Sequence, residues 1–332
     1  MNGQPTNDPQ FGIVIIGRNE GERLTACLAS VQGASAPIVY VDSGSTDDSI
    51  KNAEQAGASV VQLPMDKPFT AGRARNAGFR RLLELHPELS YVQFVDGDCR
   101  VADTWLDVAR DYLQSHDDAV IVCGRRREIR PEDSIYNRLC DFEWDTPVGD
   151  ADACGGDFMV VAAAFATVGG FNESLIAGEE PELSFRLRQN GGRIYRADHL
   201  MTWHDAAMTQ AGQWARRATR SGYAYAARSA LHRDAPGGLA RRENLSIIFW
   251  AAALPAGIVL ASLLFTGGWL LALLYPVQYF RIRKQIKHRD PELPASNFAA
   301  LLLLGKWPEC YGQLMFLSRW LRGAEQTLIE YK

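Results

Sequence analysis

The sequence predicts an α/β fold, a mostly parallel sheet flanked by helices, with a helical C-terminal region at a membrane. Two observations carry that reading. Over the first 204 residues, short apolar runs alternate with amphipathic stretches, the pattern of parallel strands with helices packed on them. Later, residues 245–280 run for 36 positions without a charge, where one bilayer-crossing helix needs only ~20.

The strand candidates are GIVIIG (12–17), PIVYVD (37–42), ASVVQL (58–63), YVQFVD (91–96) and AVIVCG (119–124). Each is short, apolar and rich in β-branched residues, as strands buried on both faces are. Helical patterns fall between them at about 21–33, 46–56, 72–86 and 103–115. The uncharged run is too long for one span, and Gly267-Gly268 offers a turn. Residues 245–265 then make one full span. Residues 269–280 make either a shorter return leg, extended by snorkelling of the basic residues 281–284, or a re-entrant segment. Arg241-Arg242 before the run and RIRKQIKHR (281–289) after it place both ends of the hairpin in the cytoplasm. A third apolar stretch, 297–321, is broken by Lys306, Pro308 and Glu309 and reads as two helices lying in the membrane interface. The expected organisation is a polar tail (1–10), a catalytic domain (11–236) with an interface helix near 208–232, and a membrane-associated region (237–332). That region comprises a hairpin at about 245–283 and amphipathic helices at about 297–323.

The net charge of −4 is unevenly spread. Residues 1–204 hold 19 basic and 31 acidic groups, a balance of −12, while 205–332 hold 16 and 8, a balance of +8. An acidic front half argues against nucleic acid as a partner. A basic rear beside apolar runs points to a membrane surface. Six cysteines, at 27, 99, 123, 140, 154 and 310, contain no CxxC pair and read as reduced thiols. The polar first ten residues give no secretory signal.

Candidate chemistry begins with Asp96-Gly97-Asp98, where the apolar run YVQFV reaches the sheet edge. Ligands of open α/β sheets bind at that carboxyl end. Two carboxylates one residue apart can hold a hard cation that neutralises a diphosphate. Asp150-Ala151-Asp152 has the same spacing without such a strand and reads as a solvated loop. Asp42, at the end of the second run and followed by Ser43-Gly44-Ser45, suits hydrogen bonds to a nucleoside. Arg73, Arg75 and Asn76 open a helix, where guanidinium groups can clamp phosphate oxygens; Arg75 is the better candidate. Glu179 and Glu180 precede an amphipathic helix. Their mutual repulsion can raise one of them toward a general-base value. His204, after a strand, is a candidate metal ligand. Gly155-Gly156-Asp157-Phe158 resembles the signature of diguanylate cyclases but is one acidic residue short of it, and is set aside.

Together, VIIGRNEGERLTACLASV, VDSGSTDDS, AGRARNAG, FVDGDC, GGFNESLIAGEEPELSFRLRQNG and TWHD resemble glycosyltransferase family 2, inverting enzymes with the GT-A (nucleotide-diphospho-sugar transferase) fold. The resemblance runs from about Phe11 to Asp205. The tail GKWPECYGQLMFLSRWLRGAEQTLIEYK is similar to that of membrane-associated bacterial members. The resemblance implies an inverting transfer from a nucleotide-sugar donor to a hydroxyl, and the membrane hairpin points to a lipid-linked or membrane-associated glycan as the acceptor, in cell-surface polysaccharide or glycolipid synthesis. The expected location is the inner membrane, with the catalytic domain facing the cytoplasm. It implies donor contacts from Asp42, Asp96, Arg75, Arg18 and Asn19. Asp98, with Asp96 and His204, would hold Mn²⁺ or Mg²⁺, and the catalytic base would be Glu180 or Glu179. Glutamate stands at Glu180 where the family usually has aspartate, and Ser43 stands where many members have a second aspartate. Arg216, Arg217 and Arg220 are expected against anionic lipid. Two rival readings are a sugar nucleotidyltransferase, which lacks its Gly-rich loop here, and a non-catalytic membrane scaffold.

Overall fold

A computed structural model describes residues 10–67, 69–235 and 238–323. Apart from Gln10, the polar tail expected over 1–10 lies outside the described residues, as do residues 324–332 of the C-terminal tail. The chain forms two compact units. One comprises the residues up to Glu132 together with Cys140–Ala207. The other comprises Asp133–Leu139 and the residues from Met208 onward.

The first unit is built on one sheet. Its strands are β1 (Phe11–Gly17), β2 (Ile38–Asp42), β3 (Ser59–Gln62), β4 (Tyr91–Asp96), β5 (Cys99–Val101), β6 (Ala119–Glu128), β7 (Gly149–Asp150), β8 (Phe158–Val161) and β9 (Arg193–His204). Their order is β3-β2-β1-β4-β8-β6-β9-β5, with β7 beside β9. The strands β3, β2, β1 and β4 are parallel, β8 runs antiparallel to β4 and β6, and β9 is parallel to β6. The helices are α1 (Glu22–Val31), α2 (Ser49–Gln55), α3 (Ala71–Leu85), α4 (Trp105–Ser115), α5 (Ile135–Trp144), α6 (Ala162–Thr167) and α7 (Glu179–Gln189); α5 runs across the division between the units. All five predicted strand runs and all four predicted helices are present.

Ile13, Val14, Ile15, Tyr40, Val41, Val92, Phe94 and Val95 are fully or almost fully buried. At ~25 cal/mol per Å² such burial is the main force holding the sheet to its helices. Helix α3 lies close on β1 and β2 because Gly78 has no side chain: a Cβ there would run into Val14 and Val41. The topology has one consequence for chemistry. Strands β2 and β4 flank β1 and end at the same edge, with Asp42 opposite Gly17 and Asp96 opposite Ile16.

The second unit is helical. It contains α8 (Ala211–Leu231), α9 (Arg241–Ile248), α10 (Leu254–Leu264), α11 (Leu274–Arg289), α12 (Ala295–Leu304) and α13 (Lys306–Leu321). A π-helical turn, Phe249–Ala253, joins α9 to α10, and a 3₁₀ segment, Gly268–Leu273, leads into α11. The sequence reading set a boundary at 236, which grouped α8 with the catalytic domain. The structure groups α8 with the second unit instead. The reason is a close helix crossing: a Cβ at Gly222 would strike the Glu309 carbonyl, and one at Gly312 the Thr219 carbonyl. Tyr223 and Phe316 meet edge-to-face at 5.4 Å beside it.

By length and composition, Arg241–Leu264 is a helix able to cross a membrane. The chain turns back after it at Gly267-Gly268, where a Cβ on Gly268 would overlap the Ala261 backbone. Leu263, Phe265, Trp269, Val277 and Phe280 are all more than half exposed on this hairpin, as are Leu314, Trp320 and Leu321 on α13.

Candidate active site

The site is assembled where β2 and β4 end. Asp42 is 2% exposed, and its carboxylate accepts from the amides of Gly44 and Ser45 at 2.9 and 2.8 Å and from the Tyr40 hydroxyl at 3.2 Å. It therefore shapes the loop after β2. Asn19, at φ +55°, ties the loop after β1 to the same place: its amide donates to Ser45 Oγ at 2.9 Å and its side chain accepts from the Thr46 amide at 2.7 Å. Arg18 is exposed and lies over the Phe69 ring at 4.5 Å. Arg73 donates to the carbonyls of Pro64 and Lys67 and so braces the neighbouring loop.

Arg75 occupies the centre. It is 2% exposed, and its Nη2 reaches Asp96 Oδ1 at 2.7 Å while Nη1 reaches Glu180 Oε1 at 3.1 Å and Glu179 Oε1 at 3.4 Å. Carboxylates thus hold the guanidinium that was expected to meet phosphates. Burial would lower its pKa, but Asp96, then Glu180 and Glu179, outweigh that and hold the charged form. In turn, Arg75 and then Arg126 keep the Asp96 carboxyl low, against the opposing effect of burial.

Glu179 and Glu180 begin α7, after Gly178 at φ +76°. Glu179 is 4% exposed along its side chain and Glu180 16%. Burial, then repulsion from Glu179, pushes the Glu180 carboxyl up to about 7, in spite of Arg75. Of the two candidate bases, Glu180 is the more open, and a carboxyl raised in this way suits a general base near neutral pH.

His204 ends β9, directly opposite Cys99 of β5, and this pairing brings its Nε2 to 3.4 Å from Asp98 Oδ1. Both residues are buried, and Trp144 packs edge-to-face on the imidazole at 4.7 Å. The donor set fits a hard divalent cation: a carboxylate and an imidazole within reach, with the Asp96 carboxylate two residues away. The ligand atoms of Asp98, Cys99 and His204 lie within 4.8 Å of one another. Cys99 is a poor member of the group, because burial, then Asp157, pushes its thiol well up and keeps it protonated. The neighbouring group of Asp96, Cys99 and Asp157 is closed by Arg126, whose Nη2 lies 2.7 Å from Asp157 and 3.4 Å from Asp96.

Sequence reading missed two members of this cluster. Asp157 is fully buried; it accepts from the Asp96 amide at 3.0 Å and the Thr202 hydroxyl at 2.7 Å, and pairs with Arg126. It lies in the Gly-Gly-Asp-Phe stretch that was set aside, and that unused motif was the available signal. Gly156 is needed beside it, since a Cβ would sit 2.6 Å from both Arg75 Nη2 and Asp96 Oδ2. Asp150 and Asp152 stay outside the cluster, in exposed ion pairs with Arg193 and Arg188.

These groups form an acid-rich cluster around Arg75 at the edge of an α/β sheet where β2 and β4 end. Residues 12–154, less than half of the chain, match the family model of Glycosyl transferase family 2. The succinoglycan biosynthesis protein ExoA of Rhizobium meliloti (strain 1021) is 23% identical over 325 residues, covering 89% of this chain and 92% of that protein. The mannosyltransferase PcManGT from Pyrobaculum calidifontis, solved in complex with GDP-Man and Mn²⁺, superposes with a TM-score of 0.61 at 15% identity. That match covers 93% of this chain and 88% of the other. S. aureus TarS 1–349 gives 0.52 at 14% identity, covering 95% and 92%; of a longer TarS chain, this one spans 37%. At these identities the structural likenesses establish a shared GT-A fold.

Proposed function

We propose that this protein is an inverting glycosyltransferase that moves a sugar from a nucleotide-diphosphate donor to a hydroxyl of a membrane-linked acceptor. The observation that carries the reading is Glu180, a mostly buried carboxyl at about 7 that shares Arg75 with the donor-side Asp96. A single displacement needs a base of that kind at the acceptor hydroxyl. Glu180 takes the proton as the hydroxyl attacks the anomeric carbon from the face opposite the nucleotide, so configuration inverts. Burial, then repulsion from the more deeply buried Glu179, keeps the Glu180 carboxyl high. Arg75 is a positioning residue that holds Glu180 and Asp96 in register and lends positive charge to the site. Asp42 and Asn19 shape the loop that receives the nucleoside, and Arg18 lies beside it. Asp98 and His204, with Asp96, would hold Mn²⁺ or Mg²⁺, which when bound neutralises the donor diphosphate.

The exposed apolar hairpin, with Arg241-Arg242 before it and basic residues 281–289 after it, supports attachment to the cytoplasmic face of the inner membrane. Arg216, Arg217 and Arg220 on α8 add charge for anionic lipid. The acceptor is then a lipid-linked or membrane-associated glycan. The likeness to a succinoglycan biosynthesis protein supports a place in cell-surface polysaccharide or glycolipid synthesis.

The test is a panel of nucleotide sugars incubated with membranes carrying the protein, with Mn²⁺ or with chelator. Release of nucleoside diphosphate from one donor, dependent on the cation, is expected. Absence of turnover with every donor, or turnover indifferent to chelation, overturns the proposal.

A further inference from the structure

We infer that the hairpin at 245–280 enters one face of a lipid bilayer and turns back near the midplane, so that it is a re-entrant wedge rather than a pair of spans. The inference rests on the membrane attachment proposed above and specifies its geometry. Its first support is the length of the return leg. Gly268–Leu273 rises ~2.0 Å per residue as a 3₁₀ helix, and residues 274–280 rise ~1.5 Å each, giving about 22 Å before Arg281, against a core of ~30 Å. Snorkelling of Arg281 lengthens this leg only at its rim, since Arg283 and Lys284 follow within the same turn.

The second support is an aromatic level. The Tyr275 hydroxyl donates to the Trp250 carbonyl at 2.7 Å, the two rings lie 5.8 Å apart, and Trp307 stacks on Tyr275 at 5.7 Å. Indole and phenol groups favour the membrane–water interface. From that level the outgoing helix runs about 22 Å to Phe265, and the return leg about 13 Å to Gly268. A core of ~30 Å has its midplane at ~15 Å, so the return leg sets Gly268 close to that level and the longer outgoing helix meets it by tilting.

The tip itself suits hydrocarbon. Leu263 is 78% exposed and Phe265 68%. The 36-residue run carries no charge, so the basic residues stand only at the foot, on one side. The amides of Phe265, Gly268 and Leu270 are bonded within the turn, to Ala261, Phe265 and Gly267 at 2.8, 3.0 and 3.0 Å. A turn inside a bilayer needs such internal pairing, because no water is there to supply it.

Cysteine accessibility in the full chain tests this directly. Five native cysteines are buried, and the half-buried Cys310 is replaced by serine. Thr266→Cys probes the tip and Gln285→Cys the foot, each with a membrane-impermeant maleimide applied to intact cells, to inside-out vesicles and after detergent. The expected result is a foot labelled in inside-out vesicles, and a tip labelled from neither side until detergent is added, in protein that resists alkaline carbonate. Labelling of Thr266→Cys from outside intact cells would mean that the hairpin spans the membrane, which ends this inference and leaves membrane attachment standing. Labelling of tip and foot alike in vesicles, or release by carbonate, would mean that water, a protein partner or a second copy covers the hairpin, and both readings would fall.

Discussion

Glu180 lies 3.1 Å from the Nη1 of Arg75, 105 residues earlier in the chain. The other amine of that guanidinium is held by Asp96 at 2.7 Å. One buried cation therefore couples the start of α7 to the end of β4. One guanidinium facing three carboxylates offsets part of their mutual repulsion, which helps a site of so many acids stay folded.

Glu180→Gln should lower turnover by about 10²–10⁴, the usual contribution of a general base. Binding of the nucleoside diphosphate should change little. In the wild type, kcat/KM should fall as pH drops below about 7, where the Glu180 carboxyl takes up its proton. Steady-state rates over pH 5 to 9 check this, and full activity in the Gln variant would remove Glu180 from the mechanism.

The same carboxyl makes a stability prediction of definite sign. Its value rises from 4.5 in the unfolded chain to about 7 in the folded protein. The folded state binds more protons than the unfolded between those values, so its contribution to stability is present at low pH and is lost as pH rises through about 7. Gln at this position cannot ionise. The Tm of Glu180→Gln relative to wild type should therefore be higher at pH 8 than at pH 5, by an amount equivalent to roughly 1–3 kcal/mol. An offset equal at both pH values would contradict the raised value.

Asp98→Asn should cost several kcal/mol of transition-state stabilisation, hence activity by factors of roughly a thousand. His204→Ala should do less, weakening apparent Mn²⁺ affinity by about 10–100-fold. Mn²⁺ titrations of activity, with chelated wild type as the zero point, separate the two. An unchanged metal requirement in both variants would place the cation elsewhere.

Gly156 and Gly155 form a matched pair. A Cβ at Gly156 meets Arg75 and Asp96 at 2.6 Å, whereas one at Gly155 meets nothing within 4 Å. Gly156→Ala should destabilise the protein by about 1–3 kcal/mol and depress turnover by displacing the Arg75–Asp96 contact. Gly155→Ala should leave both nearly unchanged. Thermal denaturation and initial rates of the two variants decide it.

Much of the first unit was legible beforehand because its strands are continuous apolar runs that no other element resembles. Asp42 and Asp96 could be placed at strand ends from the sequence, since a strand buried on both faces leaves its last polar residue at the sheet edge. Asp157 and Arg126 were not legible in the same way. Their ion pair depends on β8 and β6 being neighbours, and that order is set by packing between segments more than 30 residues apart. The role of Arg75 changed for a related reason: a helix-start arginine looks like a phosphate clamp until α7 delivers two carboxylates to it. The grouping of α8 was hidden as well, because two glycines on separate helices announce a close crossing only once both helices are placed.

By itself, the sequence determined the local quantities: which stretches are strands or helices, where charge is absent for 36 residues, and which carboxylates end apolar runs. These follow from the chemistry of neighbouring residues. Tertiary structure alone decided which of those groups share one buried environment, that burial and Glu179 raise the Glu180 carboxyl, and that Asp98 meets His204. Burial and Coulomb energy depend on distances through space, and two residues 105 positions apart have no such distance until the chain is folded.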